Sequence, residues 1–120
     1  MPFGPSCISE KSEAWFRNLR FSPFMTLIFD VPSEKQSNIK GVVHIDGTSR
    51  IQTVNKDSNP LYYSVIDVFY KEIGIPIILN TSFNRHGLPI VHTPEDAIEH
   101  LLEGCIDELA IGSFVVKKMA

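Results

Sequence analysis

Residues 75–87 of this chain read IPIILNTSFNRHG. The first five form an uninterrupted apolar run, which is typical of a strand buried on both faces. We expect this strand to be central in its sheet, with Pro76 at its first or second position because proline donates no hydrogen bond to a neighbouring strand. The polar residues 80–87 then leave the carboxyl end of the strand, which is where α/β folds place ligands.

Helix signals stand on both sides of this segment. Pro60 opens a helix whose apolar residues recur at helical spacing, and Gly74 ends it. Thr93 is placed to cap a second helix with Pro94 at its first position. The remaining patterns predict extended chain over residues 2–8, a helix over 9–20, a strand over 24–31, a hairpin over 41–54 and a final strand over 109–116.

Together these patterns predict one domain, residues 1–120, of α/β (α+β) class: a mixed twisted sheet with helices packed on it. Hydrophobic residues make up 43% of the chain, which is enough for a core. The net charge of −3 argues against a general nucleic-acid binder, because such proteins present a basic face. With no apolar run of about 20 residues and no signal-peptide pattern, we expect a cytoplasmic protein.

The cysteines and histidines show no metal-ligand spacing, so we expect no metal site in this chain. Cys7 and Cys105 both have apolar neighbours, and we interpret both as small buried side chains. His100 lies on the helix that begins near Pro94, where we expect it on the polar side. No residue is assigned a catalytic role.

The first candidate binding segment is residues 44–52, HIDGTSRIQ. In extended chain, His44 and Asp46 share one face, and Arg50 and Gln52 share another. A planar guanidinium beside a Gly-Thr-Ser turn suits phosphate or carboxylate, because it donates two parallel hydrogen bonds. A polar hairpin with a surface arginine explains the same pattern, and both interpretations stay open.

The second candidate is the loop that follows the apolar run. Asn80, Ser82 and Arg85 bring an amide, a hydroxyl and a guanidinium together, which is suited to orienting a small polar substrate. The glycine spacing is not that of a phosphate-binding P-loop. An ordinary loop, with asparagine and serine stabilising turns, is the equal alternative.

These segments, in their order and spacing, resemble the C-terminal domain of the O-carbamoyltransferases, a family that includes nodulation-factor and antibiotic carbamoyltransferases. The matching stretches are residues 22–25 (SPFM), 44–54 (HIDGTSRIQTV), 79–84 (LNTSFN), 89–91 (PIV), 93–97 (TPEDA) and 111–114 (IGSF). The resemblance covers essentially the whole chain.

The resemblance implies a two-part enzyme. An N-terminal domain of the actin-like ATPase fold binds a metal and the acceptor. The C-terminal domain resembles threonylcarbamoyl-adenylate synthases and uses ATP and carbamoyl phosphate to make a carbamoyl-adenylate, whose carbamoyl group is transferred to a hydroxyl. Arg50 matches one anion-binding arginine of the family, and Arg85 lies in the loop where another is expected. The full set of expected substrate- and nucleotide-binding residues is Arg50, Asn80, Ser82, Arg85, His44, Asp46 and Thr48.

Departures from the family pattern imply a C-terminal portion of that domain. Residues 2–6 (PFGPS) match a family stretch that follows an arginine, and Met1 stands in the place of that arginine. The family's other anion-binding Lys and Arg, and its metal domain, fall upstream. We therefore expect small-molecule substrates and that N-terminal domain as partners, with no activity in isolation. The rival interpretations are an RNA-binding module and a structural domain that forms a homodimer through an open strand edge.

Overall fold

The computed structural model describes residues 3–119. The chain divides between Thr81 and Ser82 into two compact units. Helices and strands alternate in the first unit, and the second contains a helix and a hairpin, which confirms the α/β (α+β) class. The expected extended conformation of Pro2 lies outside the described residues, and the single domain over residues 1–120 stays a prediction.

The first unit is built around a small sheet. Its elements in chain order are β1 Gly4–Ile8, β2 Phe29–Asp30, α1 Ser33–Gln36, β3 Thr48–Ser49, β4 Gln52–Val54, α2 Pro60–Ile73 and β5 Ile77–Asn80, with 3₁₀ turns at Ser9–Ala14 and Lys40–Val42. The strand order is β4-β1-β5, with β1 parallel to β4 and antiparallel to β5. Strands β2 and β3 pair with each other in a separate antiparallel ladder.

The prediction of a central strand at residues 75–79 is wrong, because β1 is central. Every residue of β1 is buried. Within the described residues β5 pairs on one side only, and its Leu79 is 48% exposed. The expectation for Pro76 is confirmed in part: it is buried, and pairing with β1 begins at Ile77.

The hairpin predicted over residues 41–54 is also wrong. No strand forms over residues 42–45, and β3 and β4 both follow the turn at residues 45–47. They pair with β2 and β1 rather than with each other, so the chain passes from one ladder to another. The strand predicted over residues 24–31 shortens to β2 for the same reason, since only Phe29 and Asp30 find a paired neighbour.

The helix predicted over residues 9–20 is replaced by the 3₁₀ turn Ser9–Ala14. Ser9 does not cap it; the Ser12 hydroxyl donates to the Ser9 carbonyl instead. Trp15 and Phe16 then enter the core at 7% and 1% exposure, and this burial takes the chain out of the helical path. Tertiary packing thus outweighs the local helical pattern.

The boundaries of α2 are confirmed. The Asn59 side chain accepts a hydrogen bond from the Tyr62 N–H at 3.2 Å, and Pro60 occupies the first turn. Gly74 ends the helix in the left-handed conformation, at φ 80°, which glycine adopts without steric cost.

Two apolar clusters stabilise the first unit. The larger contains Cys7, Trp15, Phe16, Phe29, Val31, Ile39, Val42, Ile51 and Ile77. The smaller joins Ile8 of β1, Val54 of β4 and Ile66 of α2. Residues from the two sides of β1 therefore enter different clusters, as the alternation of side chains along a strand requires.

The second unit contains α3 Pro94–Leu102, β6 Glu108–Ile111 and β7 Phe114–Lys117. Thr93 caps α3 as predicted, in a reciprocal capping box with Asp96. The single final strand is wrong, because β6 and β7 form a hairpin whose turn holds Gly112 at φ 56°. Ala97, Leu101 and Leu109 form the core of this unit.

Two side chains lie where the sequence did not place them. Cys7 is buried as expected, and burial, with a smaller effect of the Glu10 charge, raises the pKa of its thiol to about 12. Cys105, in contrast, is exposed. His100 is buried rather than on a polar face, because both ring nitrogens find hydrogen-bond partners inside the unit.

No helix in the described part of the chain is both long and apolar enough to cross a membrane.

Candidate functional site

A polar cluster crosses the sheet of the first unit at the end of β5. The Asn80 amide nitrogen donates to the Ser6 hydroxyl at 3.1 Å and to the Gln52 side-chain oxygen at 2.9 Å. The Ser6 hydroxyl donates to the same Gln52 oxygen at 2.7 Å. One side chain from each of β1, β4 and β5 thus meets at one point.

The Pro23 carbonyl fixes the orientation of this cluster. It accepts a hydrogen bond from the Gln52 amide nitrogen at 3.1 Å, so the Gln52 oxygen must face Ser6 and Asn80. That oxygen needs donors, and therefore the nitrogen of Asn80 points toward it. The Asn80 side-chain oxygen accepts no hydrogen bond from any described residue.

Arg50 lies two residues before Gln52 and is half-buried. Within residues 3–119 its guanidinium makes no ion pair and no side-chain hydrogen bond. Gln52 and Asn80, which are 28 residues apart, join the Arg50 segment to the end of β5. That the Arg50 guanidinium points into the same cleft as Asn80, Ser82 and Arg85 stays a prediction.

His44, Asp46 and Thr48 are bonded to one another in the turn before Arg50. The Asp46 carboxylate accepts from the Thr48 N–H at 3.0 Å and from its hydroxyl at 2.7 Å. Because the hydroxyl's hydrogen goes to Asp46, it accepts from Nδ1 of His44 at 2.9 Å. Gly47, at φ 81°, allows the reversal between them.

These contacts change the acidity of Asp46. The hydrogen bonds from the Thr48 hydroxyl and N–H, with a smaller contribution from the His44 charge, hold the pKa of the Asp46 carboxyl below its usual value. The three side chains stabilise the turn through hydrogen bonds to one another.

Ser82 and Arg85 lie in the second unit. The Ser82 hydroxyl donates to the Asn84 side-chain oxygen at 2.5 Å. The Arg85 guanidinium forms an ion pair with Glu103, and its backbone N–H donates to Nε2 of His100 at 3.2 Å.

His100 holds the Arg85 loop in place and was missed by sequence reasoning. Its Nε2 accepts from Arg85, so its Nδ1 carries the hydrogen that it donates to the Asp96 carbonyl at 2.8 Å. The ring also packs edge-on against Phe83, with centroids 5.3 Å apart. Only the burial of His100 gives it this role, and one histidine in a helical pattern carries no signal of burial.

Ser6 and Gln52 were likewise not assigned to the site from the sequence. Gln52 had a signal, since it alternates with Arg50, but Ser6 needs the register of β1 against β4. No group of three or more His, Cys, Asp and Glu within residues 3–119 is placed to hold a metal ion.

The family described as Carbamoyltransferase C-terminus matches residues 1–118, which is nearly the whole chain. The chain belongs to this carbamoyltransferase C-terminus family. Nodulation protein NolO of Bradyrhizobium diazoefficiens is 40% identical over 98% of this chain, and an uncharacterised protein of Methanocaldococcus jannaschii is 45% identical over 99%. A 3'-hydroxymethylcephem-O-carbamoyltransferase of Amycolatopsis lactamdurans is 26% identical over 92%.

This carbamoyltransferase C-terminus chain covers only a small part of its relatives. It spans 22% of NolO, 23% of the archaeal protein and 21% of the cephem carbamoyltransferase. More than three quarters of the length of each of these relatives therefore lies outside the matched segment.

Proposed function

We propose that this protein forms part of the site where a carbamoyltransferase binds ATP and carbamoyl phosphate and makes a carbamoyl-adenylate for transfer to a hydroxyl acceptor. The observation that carries the proposal is the geometry around Arg50. Its guanidinium has no partner among residues 3–119, while Gln52, two residues further along the chain, is held in one orientation by hydrogen bonds to Pro23 and Asn80. Membership of the carbamoyltransferase C-terminus family and similarity to a cephem O-carbamoyltransferase support a role in carbamoyl transfer.

Arg50 is proposed to bind phosphate oxygens. Its fork of N–H groups donates two parallel hydrogen bonds, which suits the anionic end of carbamoyl phosphate or the phosphates of ATP. In a protein of net charge −3, such anions are bound by a few converging donors rather than by a broad basic surface.

Asn80 is proposed to recognise the carbamoyl group. Its amide nitrogen donates to Ser6 and Gln52, and its side-chain oxygen remains as an acceptor. A carbamoyl NH₂ group is a donor of matching size. Asn80 thus selects an amide nitrogen and disfavours a carboxylate or ester in the same position.

The remaining predicted residues have secondary roles. His44, Asp46 and Thr48 fix the turn that precedes Arg50. That Ser82 and Arg85 contact substrate stays a prediction, and within the second unit Arg85 forms an ion pair with Glu103. We place this chemistry in the cytoplasm, with the metal and acceptor sites in the N-terminal domain of the longer enzyme.

Calorimetric titration with carbamoyl phosphate tests the role of Arg50. We expect Arg50→Ala and Arg50→Lys to weaken binding by similar factors, about tenfold or more, because an ammonium does not reproduce the guanidinium fork. Lys56→Ala, which removes an exposed cation elsewhere on this unit, is the control and should leave the affinity unchanged. Unchanged affinity in Arg50→Ala would refute the assignment.

Incubation with ATP, carbamoyl phosphate and hydroxyl acceptors tests whether carbamoyl transfer requires the proposed N-terminal domain. We expect the 120-residue protein alone to yield no carbamoylated product above background, since metal and acceptor binding belong to another domain. Turnover by this chain would contradict the two-part arrangement.

A non-catalytic dimerisation domain is the alternative that a specific observation favours. Leu61, Val65 and Val68 form an exposed apolar row on α2, at 78%, 52% and 61% exposure. Sedimentation that shows a concentration-dependent dimer, together with no binding of carbamoyl phosphate, would favour this alternative over the enzyme. Binding of double-stranded RNA at low salt, measured on filters, would favour the RNA-binding alternative, which the negative charge disfavours.

A further inference from the structure

A cleft of about 310 Å³ in the first unit is lined by two arginines that the proposed carbamoyl site does not use. Arg17 and Arg20 line this cleft, with Asp30 and Thr48. Leu27 and Ile28 supply an apolar wall. Arg50 is not among its lining residues, so the cleft is distinct from the Arg50 guanidinium.

The segment that carries the two arginines is held at both ends. Before it, Trp15 and Phe16 are buried in the larger core cluster, and the Arg17 N–H donates to the Asp30 carbonyl at 2.9 Å. After it, Ser22 is buried and its hydroxyl donates to the Ile51 carbonyl at 3.2 Å. The backbone of residues 17–20 is therefore positioned before any ligand arrives.

The turn between the arginines has a particular conformation. Asn18 adopts φ 53°, in the left-handed region that asparagine tolerates better than most residues. Leu19 packs against the larger core cluster, while Arg17 and Arg20 on either side line the cleft. The left-handed turn thus presents two cations to one cavity.

Both guanidiniums lack an ionic partner within residues 3–119, where neither makes an ion pair or a side-chain hydrogen bond. Two unpaired cations at one cavity repel each other unless an anion lies between them. The Thr48 hydroxyl does not donate to a ligand in the cleft, because it donates its hydrogen to Asp46.

We propose that this cleft binds a hydroxylated phosphate monoester of the size of a sugar phosphate. The phosphate lies between Arg17 and Arg20, which donate charge-assisted hydrogen bonds to its oxygens. The carboxylate of Asp30 accepts a hydrogen bond from a ligand hydroxyl, and the carbon skeleton packs on Leu27 and Ile28. The cleft volume, about 310 Å³, lies at the small end of ligand sites and matches a ligand of this size.

The presence of Asp30 distinguishes this ligand class from a simple polyanion. A carboxylate in the same cleft repels pyrophosphate or a triphosphate, but it binds a hydroxyl well. The proposal does not depend on the proposed carbamoyltransfer function, since Arg17, Arg20 and Asp30 are not among the residues assigned to binding carbamoyl phosphate.

Calorimetric titration of the protein with ribose 5-phosphate tests the proposal, with inorganic phosphate and pyrophosphate as comparison probes. We expect ribose 5-phosphate to bind about tenfold more tightly than either probe. The double variant Arg17→Gln/Arg20→Gln should weaken its binding by at least about tenfold, whereas Arg50→Gln, which removes the same kind of charge, should change it less than about twofold. Asp30→Asn should reverse the preference in favour of pyrophosphate.

Three results would overturn the proposal: no binding of ribose 5-phosphate up to about 10 mM, equal affinity for inorganic phosphate, or unchanged affinity in the double variant. Because Arg17 and Arg20 are exposed, the double variant should fold, and an unchanged circular-dichroism melting curve checks this. If it does not fold, Arg17→Lys/Arg20→Lys keeps the charge, and the loss of the phosphate-binding fork should still weaken binding.

Discussion

At the scale of single residues, Gln52 orders the polar cluster of the first unit. Its side chain accepts from Ser6 and Asn80 and donates to the Pro23 carbonyl. A partly buried donor that loses its acceptor costs more than the bond itself contributes. The orientation of the Asn80 oxygen, and so its proposed role in recognising a carbamoyl NH₂, depends on this glutamine.

Gln52→Ala should therefore lower the free energy of unfolding by about 1–3 kcal/mol, because it leaves the donors of Ser6 and Asn80 without their shared acceptor. Urea denaturation measures this difference. Asn38→Ala is the control, since Asn38 is an exposed amide that accepts only from the neighbouring Ser37. Its effect should stay within about 0.5 kcal/mol, and equal effects for both variants would contradict the account.

Asp46 should make the stability of the protein depend on pH in the acid range. Hydrogen bonds from Thr48 hold the pKa of the folded Asp46 carboxyl below the usual value of 3.8. The unfolded chain then binds more protons in this window, so the contribution of Asp46 is fully present above pH 3.8 and is lost as the pH falls through the folded pKa. Asp46→Asn should remove this contribution.

Denaturation of the protein and of Asp46→Asn between about pH 2.5 and 6 checks that sign. The stability difference between them should be largest on the plateau above pH 3.8 and shrink below it. A difference that stays constant with pH would show that Asp46 acts through packing or turn geometry alone.

How far single residues were predictable depends on their type of contact. Arg50 and Asn80 stand out in the sequence because a guanidinium after a glycine turn and an amide after an apolar run are local patterns, and their role in binding stays a prediction. Ser6 and His100 were not, since their roles come from strand register and from burial, which no local pattern encodes. The ion pair of Arg85 with Glu103 also needed the folded second unit.

At the scale of elements, the first unit is organised by β1. Its sequence GPSCI looks neither apolar nor alternating, yet all five of its residues are buried. Pro5 is tolerated there: it lies opposite Leu79 and precedes the ladder with β4, which begins at Ser6. The run of residues 75–79 is more apolar, yet most of it lies in β5, one of the two outer strands.

The difference between these strands predicts different costs of truncation. Ile8 of β1 is 1% exposed, whereas Ile78 of β5 is half-buried. Ile8→Ala should lower the free energy of unfolding by about 3–4 kcal/mol and Ile78→Ala by about 1–2 kcal/mol, in urea denaturation of the two matched variants. A larger loss of stability for Ile78→Ala than for Ile8→Ala would contradict the assignment of β1 as the central strand.

Among the elements, those with capped helix ends were predicted well. Asn59, Gly74 and Thr93 set boundaries through local hydrogen bonds and dihedral preferences, and these act the same way in any fold. The short ladders of β2, β3 and β4 were mispredicted. Their pairing partners lie far away in sequence, and a turn such as residues 44–48 fits several pairings equally well.

At the scale of the whole molecule, the fold class followed from the alternation of elements, and family membership followed from motifs spread along the chain. The chain spans about a fifth of the relatives' lengths, at 21% to 23%. Its proposed share of the reaction is accordingly to supply anion and carbamoyl contacts within a larger enzyme. The proposed sugar-phosphate cleft gives the same unit a second, separable ligand.

The most direct test of the central claim is to map carbamoyl phosphate binding on the backbone amides by proton–nitrogen correlation spectra. We predict shifts concentrated at residues 49–52 and 78–81, which disappear in Arg50→Ala and Arg50→Lys and persist in Arg17→Gln/Arg20→Gln. Shifts confined to residues 17–20 and 27–30, or shifts at the first two segments that survive Arg50→Ala, would contradict the assignment of Arg50 as the anion ligand.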